Sequence, residues 1–108
     1  MVLEFGMGVD VHGQDSTTAA CRAVSDAIRH SSLPFFQDVR ERGGKMLVEV
    51  TVGVPNPASV DVERVRRELP HGEVTFHAVA GGLKVPGSEA LIACVGITVS
   101  VDDPTAVR

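Results

Sequence analysis

The chain has 108 residues, a net charge of −4 and 44% hydrophobic residues, which predicts one domain with its own core and no need for disulfide bonds. The acidic balance argues against nucleic acid as a partner, because nucleic acids require a basic surface. No apolar run is long enough for a membrane span, and Cys21 and Cys94 form no CxxC pair. We expect a cytoplasmic protein with reduced thiols and no signal peptide.

The first predicted element is a strand, because residues 2–12 alternate between large apolar side chains and small or polar ones. One face carries Leu3, Phe5, Met7, Val9 and Val11, and the other carries Val2, Glu4, Gly6, Gly8, Asp10 and His12. A period of two is typical of a β-strand. We expect the apolar face to pack on helices and the glycine face to lie on the other side of the sheet.

The next elements alternate between helix and strand. A helix is predicted over 17–32 with Asp15 or Ser16 as its cap, and a strand over 46–55. A short helix is predicted within 56–70, with Ser59 or Asp61 as its cap. Strands at 73–82 and 90–101 are joined by a loop at 83–89, and residues 102–108 are expected to form a flexible tail.

The element order β-α-β-α-β-β predicts a single α/β domain of two layers, a mixed four-stranded sheet with both helices on one face. Helical connections favour one direction for the first three strands, and the last strand should run antiparallel. The second face is small and mildly polar instead of charged, so we expect another copy of the sheet to cover it.

This element order resembles the chorismate-mutase-like fold of the trimeric bacterial type, which YjgF-like imine deaminases share. The resemblance implies a homo-oligomer, specifically a trimer, with small-molecule sites in the clefts between subunits.

The strongest candidate for a site is the motif Gly6-x-Gly8-x-Asp10-x-His12-Gly13. A phosphate loop is disfavoured because the third glycine and the lysine are missing. Asp10 and His12 could bind a divalent metal with a third ligand, and the run DVH resembles ligands of methylerythritol cyclodiphosphate synthase. They could instead form an acid–base pair with His12 as proton carrier and Asp10 as its orienter. Alternatively, Asp10 or Gln14 only caps the helix and His12 is a turn residue.

The same motif also resembles the signature of a family of conserved hypothetical proteins named after a Listeria reading frame and found in bacteria and plants. The run GQD with the following helix, VGVPNP at 52–57 and VAGGL at 79–83 extend the resemblance over nearly the whole chain. It implies that the motif is functional without naming the chemistry.

We therefore expect a small-metabolite enzyme that uses acid–base chemistry at His12 and Asp10. Fold analogy suggests hydrolysis or deamination of a cyclic amide or imine. The expected ligand-binding residues are Gly6, Gly8, Gly13, Gln14, Gly81, Gly82 and Lys84. The alternative is a non-catalytic module for a metabolite or a divalent metal, and no other cofactor is indicated.

Four further residues are weaker candidates. Cys94 and His77 are expected to pack within strands, whereas Glu4 and Glu49 need a partner if their face is closed.

Overall fold

The computed structural model describes residues 2–29, 45–69 and 73–102. The elements in chain order are β1 (Val2–Asp10), α1 (Ser16–Arg29), β2 (Lys45–Val54), a 3-10 helix (Pro57–Ser59), α2 (Val62–Arg66), β3 (Glu73–Ala80), β4 (Leu83–Lys84) and β5 (Leu91–Asp102). The expected flexible tail lies outside the described residues, apart from Asp102, which ends β5. Among the described residues, no helix is long and apolar enough to cross a membrane.

The sheet has the strand order β1-β5-β2-β3. Strand β5 is antiparallel to both β1 and β2, and β2 is parallel to β3. Strands β1, β2 and β3 therefore share one direction, as predicted. The fifth strand was not predicted: Leu83 and Lys84, expected in a loop, pair with Ile92 and Leu91 at the start of β5.

The core lies between the sheet and the helices, which confirms the two-layer architecture. Helix α1 packs across β1, β5 and β2. Its contribution is mostly alanine, and α2 adds Val65. Strands β2 and β5 supply the larger side chains, namely Val48, Val50, Val52, Val54, Leu91, Val95, Ile97 and Val99.

Capping side chains begin both helices. Asp15 Oδ1 accepts hydrogen bonds from the amides of Thr17 at 2.9 Å and Thr18 at 3.3 Å, so the predicted Asp15 cap is confirmed. Asp61 caps α2 as predicted, by accepting from the Arg64 amide. The buried Thr17 hydroxyl accepts from the Asp61 amide at 2.9 Å. This bond ties the start of α1 to the start of α2.

The predicted orientation of β1 is wrong. Leu3, Phe5 and Met7 are 51%, 68% and 56% exposed, whereas Gly6 and Gly8 face α1. A Cβ on Gly6 would lie 2.2 Å from the Ala23 carbonyl oxygen, and one on Gly8 would lie equally close to that of Ala19. The alanines let the helix backbone rest directly on β1, and only glycine leaves room for it there.

The outer edge of β1 is shielded by two side chains of α1. The Arg22 guanidinium donates to the carbonyl oxygen of Val9, and the Met7 amide donates to Asp26 Oδ2 at 3.1 Å. Because these bonds occupy edge groups that another strand would need, they disfavour extension of the sheet at this edge.

Candidate functional site

Most of the predicted site residues lie at one end of the sheet. The carboxyl ends of β1, β2 and β3 meet the start of β5 there, because β5 runs against the other three. We call residues 11–14, 81–84 and 85–90 the motif end. The topology therefore brings together the turn after Asp10, the paired glycines after β3 and the loop before β5.

Asp10 holds the turn between β1 and α1. The residue is buried, with 7% of its surface exposed. Its Oδ2 accepts a hydrogen bond from the Asp15 amide at 2.8 Å. Its other oxygen lies 3.7 Å from Arg22 Nη1. Within the described ranges these are the partners of Asp10, and His12 is not among them. Asp10 therefore holds the turn, whereas the capping role that was its alternative belongs to Asp15.

His12 lies next to a carboxylate that the sequence did not suggest. Its Nδ1 is 3.7 Å from Glu89 Oε2, and the two side chains are 88% and 70% exposed. Glu89 comes from the loop before β5. It was missed because nothing in the local pattern around residue 89 marks it, and only the antiparallel pairing of β5 with β1 brings it to the motif.

The turn that carries His12 has an unusual backbone. Gly13 and Gln14 both have positive φ, +87° and +53°. A left-handed non-glycine residue costs about 1–2 kcal/mol, and such residues cluster at functional sites. The Gln14 side-chain amide donates to the Ser88 carbonyl oxygen at 3.2 Å. This bond ties the turn to the loop that presents Glu89.

The loop that carries Glu89 is held by its own hydrogen bonds. The Val85 amide donates to the Ala90 carbonyl at 3.2 Å. The Ser88 hydroxyl donates to the Val85 carbonyl at 3.0 Å and accepts from the Ala90 amide at 3.1 Å. The backbone that carries Glu89 is therefore held by the loop itself.

The predicted glycines fall into two groups. Beside Gly6 and Gly8, the expected ligand space is filled by the backbone of α1, which also removes the phosphate-loop interpretation. Gly81 and Gly82 are exposed at the motif end. Gly82 has a φ of +65°, and a Cβ there would lie 2.1 Å from the Ile92 carbonyl oxygen, so the chain can pass this close only with glycine.

Lys84 lies at the motif end on the opposite side of β5 from β1. Lys84 and Asp10 both pair with Leu91, so their Cα atoms are about two strand spacings, or about 10 Å, apart. Lys84 is exposed, and its amine can reach a ligand bound at this end of the sheet.

Within the described ranges, no third ligand joins Asp10 and His12 at the expected metal site. The part of the chain that the structure describes contains no group of three or more His, Cys, Asp or Glu side chains that could hold an ion. A metal at Asp10 and His12 would need ligands from another source.

The side of the sheet opposite α1 carries exposed apolar side chains. We call it the open face, and its large members are Leu3, Phe5, Met7, Leu47, Val79 and Leu83. Glu49 and His77 also lie there, with His77 Nε2 3.5 Å from Glu49 Oε1. Glu49 is 62% exposed, so it needs no partner in a single copy, and this contact gives it one within the chain. Cys94 is exposed on the same face, directly opposite Met7.

Two pKa shifts follow from local contacts. The hydrogen bond from the Thr18 hydroxyl, with the Thr17 and Thr18 amides and Arg64 assisting, holds the pKa of Asp15 below its ordinary value of 3.8. Burial, with Glu68 as the second cause, raises the pKa of the Cys21 thiol. Cys21 is therefore the less reactive thiol on chemical grounds.

Comparisons with known proteins confirm the family that the sequence resembles. A model of the conserved hypothetical family Lin0512_fam matches residues 1–105. The chain is also similar to the crystal structure of an FtsZ-like protein of unknown function from Nostoc punctiforme, with 39% identity, a TM-score of 0.81 and 92% of each chain covered. A search of curated proteins found no match. Because the family model spans nearly the whole chain, this protein belongs to the Lin0512 family of conserved hypothetical proteins.

Proposed function

We propose that the protein is a small-metabolite enzyme that works as a homo-oligomer and performs acid–base chemistry at His12. One observation carries the proposal: His12 Nδ1 faces Glu89 Oε2 at 3.7 Å, in a turn and a loop that Gln14 fastens together. The distance of 3.7 Å is longer than a hydrogen bond. When ligand binding shortens it, the carboxylate fixes the tautomer and leaves Nε2 free to exchange a proton with the ligand. Asp10 acts through the turn and not on the imidazole.

The ligand would lie at the motif end against Gly13, Gln14, Gly81, Gly82 and Lys84. The Lys84 amine suits a carbonyl or carboxylate oxygen of the ligand. Hydrolysis or deamination of a cyclic amide or imine is the reaction class to test first, and that choice rests on fold analogy. In such a reaction His12 accepts a proton from the attacking water and returns it to the leaving nitrogen. The chorismate-mutase-like resemblance favours a trimer with sites between subunits.

The relative from Nostoc adds no reaction to this proposal. It is described as FtsZ-like and is itself of unknown function.

The test is turnover of defined probes by the purified full-length protein. Hydantoin and dihydrouracil serve as cyclic amides and 2-iminopropionate as an imine, with ring-opened product or ammonium as the readout. We expect His12→Ala to lower kcat by about 10²-fold or more and Glu89→Gln to lower it less. Glu63→Gln, an exposed glutamate on α2, is the matched control and should keep full activity. Full turnover by His12→Ala would refute the role of this residue.

A non-catalytic binding module is the second candidate. The 88% exposure of the His12 side chain favours it, because catalytic groups normally work where water is excluded. Probes that bind in a His12-dependent way without being converted would support this candidate over the enzyme.

A further inference from the structure

The open face is more apolar than a water-facing side of a sheet. Leu3, Phe5 and Met7 follow one another along β1 and are each more than half exposed. Across the strands they lie beside Thr98, Gly96 and Cys94 of β5, none of which is charged. A contiguous apolar patch of this kind is unusual on a monomer and marks an interaction surface.

The charges on the open face lie away from this apolar half. Among the side chains that the structure describes on this face, the charged or titratable ones are Glu49, Glu73 and His77 on β2 and β3. Glu49 and His77 face each other at 3.5 Å. A partner that covers the face therefore meets an uncharged half beside β1 and a half that carries the carboxylates of Glu49 and Glu73, the first of them beside His77.

The dimensions of the open face suit a protein partner. Strand β1 has nine residues, which corresponds to a length of about 30 Å, and four strands are about 19 Å wide. Because side chains make the surface uneven, the accessible area of the face is larger than this rectangle. It approaches the roughly 800 Å² per partner of a stable protein interface. A small ligand would cover only a fraction of it.

We propose that the open face is the surface through which copies of this chain associate, sheet against sheet. The proposal rests on the homo-oligomer of the proposed function and names the surface that forms it. A second copy brings an equally uncharged half, whereas the rest of the chain carries the net negative charge of −4. Association through the edge of β1 is disfavoured, because Arg22 and Asp26 occupy its backbone groups.

The interface would border the candidate site. Leu83 belongs both to the open face, where it pairs with Ile92, and to the motif end, where Lys84 follows it. Val79 lies two residues before Gly81 on the same side of β3. A copy seated on Leu83 and Val79 therefore lies beside the residues expected to bind the ligand.

The first experiment is sedimentation velocity of the full chain and two variants over a range of concentrations. Phe5→Glu places a charge in the apolar half at a side chain that is 68% exposed, so the monomer should fold normally. We expect it to raise the dissociation constant at least about 30-fold. Ala58→Glu is the matched control, since Ala58 is exposed on the 3-10 helix, and it should assemble like the unmodified protein. Circular dichroism confirms folding of both.

The second experiment measures how fast a maleimide labels Cys94 in a Cys21→Ala background. We expect labelling to be at least about tenfold slower at concentrations where the protein is assembled than after dilution or in Phe5→Glu. Cys94 is exposed in a single copy, so this protection reports coverage of the open face directly.

Three results would overturn the proposal: a monomer at all concentrations, an oligomer that Phe5→Glu leaves intact, or an oligomer in which Cys94 labels as fast as in the dilute protein. If the protein floats with lipid vesicles but does not self-associate, the face would be assigned to a membrane surface instead. The variant His12→Ala separates the two proposals, because it should abolish turnover and leave assembly unchanged. A failure of the proposed function can therefore be told apart from a failure of the proposed interface.

Discussion

Replacing Gly6 with Ala tests the unexpected orientation of β1. The new Cβ would lie 2.2 Å from the Ala23 carbonyl oxygen and 2.6 Å from the Ala27 amide nitrogen, whereas real Cβ contacts are essentially never under 3.0 Å. Both atoms belong to the backbone of α1, so the helix must move away from the sheet. Overpacking of this kind destabilises by about 1–3 kcal/mol, and the smaller entropy of the unfolded Ala variant returns about 0.4–1 kcal/mol.

We expect the free energy of unfolding to fall by about 1.3 kcal/mol and the Tm to fall by about 5–10 °C. Urea unfolding measures the change at a protein concentration low enough for the chain to be monomeric, because Gly96 of the control lies on the open face proposed as the interface. The matched control is Gly96→Ala in the neighbouring strand, where the nearest atom to the new Cβ is Phe5 Cε1 at 4.0 Å. That variant should be as stable as the unmodified protein or slightly more stable. Equal stability of the two variants would show that Gly6 does not face α1, and the packing described for β1 would be refuted.

Three further changes test the turn and the helix starts. The carboxylate of Asp15, whose pKa is lowered chiefly by the Thr18 hydroxyl, stabilises the fold above the ordinary Asp pKa, and this stability is lost as pH falls through the lowered folded value. Asp15→Asn should therefore flatten the decline of Tm between pH 6 and pH 2.5 relative to the unmodified protein, and an unchanged slope would contradict this. Thr17→Val removes the buried hydroxyl that accepts a hydrogen bond from the start of α2 and should cost about 1–3 kcal/mol in urea unfolding. Thr51→Val, on the exposed face of β2, is its control and should have no effect. Asp10→Ala leaves the Asp15 amide without its acceptor and should cost about 1–2 kcal/mol by the same measurement, whereas a neutral result would mean that Asp10 does not hold the turn.

The candidate site could be predicted only in part from the sequence. His12, Gly13 and Gln14 were found because their spacing follows a strand into a turn, and the structure places them at one end of the sheet with Gly81, Gly82 and Lys84. Glu89 could not be found in this way, since its proximity to His12 depends on the pairing of distant strands. The link between Asp10 and His12 was inferred from their spacing, but the turn directs Asp10 to the Asp15 amide.

By itself, the sequence determined the order of the helices and the four long strands, the direction of the first three strands and two candidate caps for each helix. These features depend on local period, on side chains within a few residues and on the handedness of connections, all of which can be deduced from the chain. Only the tertiary structure decided which side of β1 is buried. An alternating strand has two self-consistent faces, and the choice between Phe5 and Gly6 is made by how closely the alanines of α1 can approach the sheet.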